Sequence, residues 1–270
     1  MSIKRRTFIK KSALASGAAI LSSSSLESRE NKPDFVVPDG FSMKILATNW
    51  GFQGSYDAFC AKAKESGYDG IEVWLPGQED QRKALMEAVE KYELDYGFLA
   101  AGSGNEFEGH AQSFKRAVKA AVEFKPLFVN CHSGRDYFSF EQNKQLIDFT
   151  NEQAAASGVP VLHETHRARI LFNAILTRQF IETIPGLRLT LDISHWTNVH
   201  ASLLEDQAET IDLALTRTDH VHSRVGHSNG PQISDPRAPE WEKEMKTHFA
   251  WWDKIVKMKI SEGKGITMTA

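Results

Sequence analysis

The sequence predicts a (β/α)8 barrel, and three observations carry that reading. Eight β-prone runs alternate with helical runs along residues 43–270, the pattern of parallel βαβ units. Glycine stands between a helical run and the next strand at Gly67, Gly158 and Gly186, where a helix C-cap is expected. The fifth, sixth and seventh runs all end in carboxylate or imidazole side chains, and in such barrels the working residues sit at the C-terminal ends of the strands. An open doubly wound sheet is the alternative. It calls for a glycine-rich phosphate loop after an early strand, and none follows the first one.

In chain order, residues 43–49 form the first apolar, β-prone run, and 56–66 an amphipathic helix that Gly67 closes. Residues 70–75 and 79–92 repeat strand and helix, as do 95–101 and 107–124. The fourth strand, 127–132, leads to a helix over 140–157 that ends at Gly158. The fifth, 159–165, is followed by a shorter helix over 172–184, and the sixth, 187–193, by a helix over 203–217. The seventh, 219–224, opens into a loop rich in proline and glycine that runs to Pro239. A helix over 240–262 and an eighth strand over 265–270 follow. A full barrel carries one more loop and helix, so the expectation is a barrel domain over 43–270 that lacks its last loop and helix, as a fragment cut at Ala270 would.

Residues 1–30 have a different character. Lys4, Arg5 and Arg6 precede Thr7-Phe8-Ile9-Lys10, then a weakly apolar stretch over 13–21 and a run of serines. A basic start, a short apolar core and a small polar exit make a secretory signal, and the paired arginines mark the twin-arginine type. The expectation is a periplasmic or otherwise exported protein, with the twin-arginine machinery as a partner and a polar linker over 31–42. The body has no run of 18 apolar residues and no Cys near the signal exit, so no stable membrane anchor is expected. With 41% hydrophobic and 25% charged residues the composition is ordinary for a globular protein. The whole chain carries a formal charge of −3, but residues 1–25 hold five Lys or Arg and no Asp or Glu, which leaves the rest at −8. That balance suits a phosphate backbone poorly, so no nucleic-acid partner is expected. Cys60 and Cys131 are the only cysteines and are read as unpaired.

The chemistry gathers at three strand tips. The run Pro-Val-Leu-His-Glu-Thr-His places Glu164 at the end of the fifth strand, Leu-Arg-Leu-Thr-Leu-Asp-Ile-Ser-His places Asp192 and His195 at the end of the sixth, and Asp-His-Val-His-Ser-Arg places His222 and Arg224 at the end of the seventh. Successive tips converge on one pocket, and carboxylate with imidazole is a usual donor set for a divalent cation of the Mn, Fe, Co or Zn type. Glu164, Asp192 and His222 are therefore the expected ligands of one divalent metal ion, with positions left for substrate or water. Substrate contacts are expected from Glu72 and His132 at the ends of the second and fourth strands, from His166, which shares the inward parity of Glu164, and from Arg224, which can anchor an oxygen or an anionic group. Trp50, Trp74 and Trp196 fall just past strands one, two and six, where an aromatic face suits the C–H face of a sugar ring. His220 is read as core.

Three segments in this order, His-Glu-Thr-His-Arg, Leu-Asp-Ile-Ser-His-Trp and Arg-Val-Gly-His-Ser-Asn-Gly-Pro-Gln, resemble the xylose-isomerase-like TIM barrels. That family includes sugar isomerases, D-tagatose 3-epimerase and, more distantly, endonuclease IV. The resemblance implies Glu164, Asp192 and His222 as metal ligands and His195 as a group that holds a substrate oxygen or assists proton transfer. It also implies a fourth ligand, a Glu at the end of strand eight, which has no counterpart up to Ala270. Glu164 would be catalytic: isomerisation moves hydrogen next to a carbonyl, by an enediolate or a hydride shift, and needs a carboxylate that takes and returns the proton. The function so implied is an exported, metal-dependent isomerase or epimerase of a small carbohydrate, as a monomer or an oligomer. The alternatives are a metal-dependent lyase or hydrolase of an oxidised or modified glycoside, an endonuclease, which the charge of −8 disfavours, and a sugar-binding barrel without turnover.

Overall fold

The computed structural model describes residues 41–270; the signal over 1–30 and nearly all of the linker lie outside the described residues. Eight parallel strands close into a barrel in chain order. They are β1 (Met43–Thr48), β2 (Gly70–Trp74), β3 (Asp95–Ala101), β4 (Val129–His132), β5 (Val161–Glu164), β6 (Leu189–Leu191), β7 (Thr218–His222) and β8 (Ile266–Thr269). β8 returns to β1, with Met43 opposite Ile266 and Leu46 opposite Thr269. That pairing rules out the open sheet.

Helices cover the outside: α1 (Tyr56–Glu65), α2 (Glu79–Lys91), α3 (Phe107–Glu123), α4 (Phe140–Ser157), α5 (Ala174–Thr183), α6 (Ile193–Val199), α7 (Ala208–Thr216) and α8 (Glu242–Ser261). Local chemistry starts and stops them. Ser139 Oγ accepts the Gln142 N–H while Gln142 Oε1 accepts the Ser139 N–H, a reciprocal cap that opens α4. Gly158 closes it at φ +72°, a conformation that glycine adopts without strain. Gly186, expected to do the same before β6, is not in the left-handed region.

Two expectations are corrected after β5. The sixth strand is three residues long, and the chain turns into α6 at Ile193. The long helix expected over 203–217 is only α7, which starts at Ala208, because residues 203–207 form turns instead of helix. The Thr165 hydroxyl accepts the Asp192 N–H at 2.8 Å, which ends strand pairing there. His195 therefore stands on the first turn of a helix and not on a strand tip.

The interior is layered. Leu46, Phe128 and Leu162 pack together inside the barrel. The Phe128 ring lies 2.5 Å from where a Cβ on Gly97 would stand, so only glycine leaves it room. One step of two residues up these strands the side chains become polar, with Asn130 beyond Phe128 and Glu164 beyond Leu162. The outer faces of the strands pack on the helices, and Cys60 and Cys131 are free and buried there. Among the described residues no helix is long and apolar enough to cross a membrane.

Candidate metal and substrate site

The polar layer sits at the C-terminal end of the barrel. Glu72, Glu164 and Asp192 are 1%, 2% and 1% exposed. Three carboxylates out of water demand positive charge or hydrogen-bond donors, and the structure supplies both. The Asn130 amide donates to Glu72 Oε1 and to Glu164 Oε2, each at 2.9 Å, tying β2 to β5 across the barrel. His132 Nε2 lies 2.6 Å from Glu164 Oε2. Glu72 Oε2 receives His222 Nε2 at 2.9 Å and the Thr269 hydroxyl, with His220 Nε2 at 3.4 Å.

Glu72 thereby fixes how His222 is used. With Nε2 turned to Glu72, Nδ1 faces Glu164 Oε1 at 3.5 Å and Asp192 Oδ2 at 3.9 Å. These spacings are long for hydrogen bonds but ordinary between ligands that share a cation at roughly 2.0–2.2 Å each. One donor atom from each of Glu164, Asp192 and His222 lies within 4.8 Å of the others. The donor set and its spacing fit a divalent ion. A second group with the same closeness, Glu164, His166 and His195, lies beside it, and a third joins Glu72, His220 and His222.

The proton balance follows from the charges. Burial opposes a charged His222, but the Glu72 and Glu164 carboxylates outweigh it and hold the imidazole well above its ordinary value. Burial likewise opposes an ionised Glu164, and His222 and His132 outweigh it, so Glu164 stays well below the usual carboxylate range. His195 goes the other way: burial, with His166 and Arg224 beside it, pushes it down to about 2. Arg224 Nη2 can only donate, and it meets His195 Nε2, so that nitrogen accepts and the proton is on Nδ1. Nδ1 is buried without a partner.

Arg224 is committed to the site itself. Its Nη2 lies 2.5 Å from Asp192 Oδ2 and its Nε donates to Ser194 Oγ at 3.0 Å. It is a counter-ion of Asp192, and it also lines the cavity. Glu72 is corrected: it was expected to bind substrate, but four side chains occupy its carboxylate inside the barrel. Trp196 is corrected too. It is fully buried, and its indole N–H donates to the Leu171 carbonyl at 2.9 Å, so it anchors α6 in the hydrophobic core instead of facing the pocket. The His132 and His166 rings stand 4.9 Å apart, and His166 lies 3.9 Å from the His195 ring.

The mouth is aromatic on two sides. Trp50, half exposed, stands edge-on to His222 at 6.2 Å, and Trp74, 40% exposed, stands edge-on to His132 at 5.2 Å. A cavity of about 520 Å³ opens between Trp50, Asp192, His222, Arg224, Gln232 and Ser234. Sequence reasoning missed Asn130 and Thr269. The signal for Asn130 was its parity with His132, which puts both on the same face of β4.

The model of the xylose isomerase-like TIM barrel family matches residues 60–239. The chain belongs to that family. No curated protein sequence matches the chain. Among solved structures, the family fold recurs in the 3-keto-D-glucoside 4-epimerase of E. coli, with a TM-score of 0.56 at 15% identity, covering 85% of this chain and 92% of that one. A D-tagatose 3-epimerase-like protein gives 0.58 at 17% identity, with 84% and 90% covered. A xylose isomerase-like TIM barrel protein from Mycobacterium smegmatis, in complex with magnesium, gives 0.59 at 13% identity, with 84% and 89% covered. At these identities the likeness is one of fold.

Proposed function

We propose that the protein is a divalent-metal-dependent sugar isomerase or epimerase that moves hydrogen at a carbon next to a carbonyl. The observation that carries this reading is the convergence of Glu164, Asp192 and His222 Nδ1, with Asp192 and His222 lining a cavity that Trp50 also lines. Glu164, Asp192 and His222 would hold the ion, which when bound supplies Lewis-acid polarisation of the substrate carbonyl. Glu164 is kept ionised by its imidazole neighbours and is the group to take and return the proton. The partnerless Nδ1–H of His195 is a donor for a substrate oxygen. Trp50 and Trp74 offer flat faces to the sugar ring. The epimerase names carried by two of the structural neighbours support the same class. The basic and apolar pattern over residues 4–21 supports export by the twin-arginine route.

The test is hydrogen exchange. Purified protein with Mn, Co or Mg in heavy water should place deuterium beside the carbonyl of a keto sugar, read by NMR. Glu164→Gln should slow this by about 100-fold or more. Elimination or glycoside cleavage without exchange would shift the assignment to a lyase or hydrolase. Interconversion of sugars without exchange would mark a hydride shift, and metal-loaded protein that neither exchanges nor interconverts any keto sugar would sink the reading.

A further inference from the structure

A group of positive charges beside this site takes no part in it. Arg135 lies in the loop between β4 and α4, and Arg169 in the loop between β5 and α5. The Ile170 N–H donates to the Ser133 carbonyl at 3.1 Å and joins the two loops. Arg135 reaches only the Gly104 carbonyl, at 3.5 Å, and among the described residues neither guanidinium has a carboxylate within ion-pair range. Arg135 Nε and Arg169 Nη1 are closed off from solvent with no hydrogen-bond partner. A buried N–H without an acceptor is costly, and here two occur on like charges. Burial and then Arg135 pull Arg169 below its ordinary value, against the opposing charges of Glu164 and Asp136. Buried His110 faces the same pair: burial and both arginines push it down against a hydrogen bond to the Gly104 carbonyl, and its Nε2 is also partnerless.

We propose that Arg135 and Arg169 form an oxyanion subsite in the joined loops beyond β4 and β5, which takes the carboxylate or phosphoryl group of an acidic sugar. The sugar part of this assignment rests on the function proposed above; the anion part rests on the arginines alone. Guanidinium forks match both kinds of oxyanion. A bound oxyanion would give the stranded N–H groups their acceptor and relieve the repulsion between the two charges. Both loops leave the strands that end in His132 and Glu164, which lie 2.6 Å apart, and the Ile170–Ser133 bond joins the loops there, so the subsite lies on the same rim as the carboxylate that handles the proton and can hold part of the same ligand. Arg224 cannot serve this purpose, since Asp192 already holds it.

Calorimetric titration of the metal-loaded protein with D-glucuronate, D-glucose 6-phosphate, D-glucose and inorganic phosphate tests this. At least one of the two acidic sugars should bind about tenfold or more tightly than glucose, and added salt should weaken it. Competition by inorganic phosphate assigns the subsite to any oxyanion; glucuronate binding that phosphate does not displace narrows it to carboxylates. Arg135→Gln and Arg169→Gln should each remove the preference for the acidic sugar while glucose binding stays. Equal affinity for glucose and both acidic sugars in the wild type would overturn the proposal without any variant, and so would a preference that survives both substitutions. Hydrogen exchange on neutral keto sugars is measured separately, so loss of the subsite leaves the isomerase reading standing, and loss of exchange leaves the subsite standing.

Discussion

Glu72 shows how one residue sets the use of another. Its carboxylate takes the Nε2 side of His222 and leaves Nδ1 for Glu164 and Asp192, the arrangement in which a carboxylate orients a ligand histidine. Glu72→Gln should keep the metal but weaken its binding by about 10–100-fold, whereas Asp192→Asn, which removes a ligand charge, should weaken it further. Equilibrium dialysis with metal analysis by mass spectrometry measures both; an unchanged affinity in Glu72→Gln would show that His222 keeps its orientation without the Glu72 charge. None of this pairing was legible in the sequence. Glu72 and His222 are far apart in the chain, and residue type alone does not say which atom of an imidazole faces which partner. The strand tips at Glu164 and His222 were legible, because alternation within a short apolar run fixes which side chains enter the barrel.

The elements are held from below as well as from above. Asp219 on β7 receives both Arg188 Nε and Nη2, at 2.6 and 2.7 Å, and Lys259 Nζ of α8 at 2.7 Å. The Lys259 side chain is only 3% exposed, so removing Asp219 leaves a buried charge with only the more distant Glu262 carboxylate at 3.8 Å. Asp219→Asn should cost about 2 kcal/mol, measured by urea unfolding, and a cost below about 0.5 kcal/mol would mean that Lys259 finds water instead. Strand and helix order was readable from periodicity for most of the wall. It failed over β6 and α6, where Ile193 to Val199 carries β-branched and aromatic residues and the helix starts on Asp192 with no side-chain cap. Tertiary contacts, chiefly the Thr165 hydroxyl and the burial of Trp196, override local preference there.

Across the whole molecule, buried neutral histidines tie stability to pH. His163 sits between Ser133 and Thr150, at 2.5 and 2.7 Å, and burial lowers it to about 3. His248 accepts the Gly226 N–H at 3.2 Å, and burial lowers it to about 4 against a hydrogen bond to the Glu244 carbonyl. Both are lower when folded than the ordinary 6.5, so between pH 6.5 and about 4 the unfolded chain binds protons that the folded chain refuses. The contribution of these two histidines is full above pH 6.5 and falls with acid, by up to about 1.4 kcal/mol per pH unit for each. His222, raised when folded, is protonated in both states below pH 6.5 and does not offset the loss. Urea unfolding at pH 7.5, 6.5 and 5 should show the slope, with a smaller one in His163→Asn; equal stability at all three would exclude it. The closure of β8 on β1, where the Ala270 N–H donates to the Leu46 carbonyl at 3.1 Å, bears on synthesis. A nascent chain carries β1 with one bare edge until more than 200 further residues have left the ribosome. Throughout that interval the edge is open to pairing with another chain, so the yield of folded protein depends on how well that first strand is shielded while it waits.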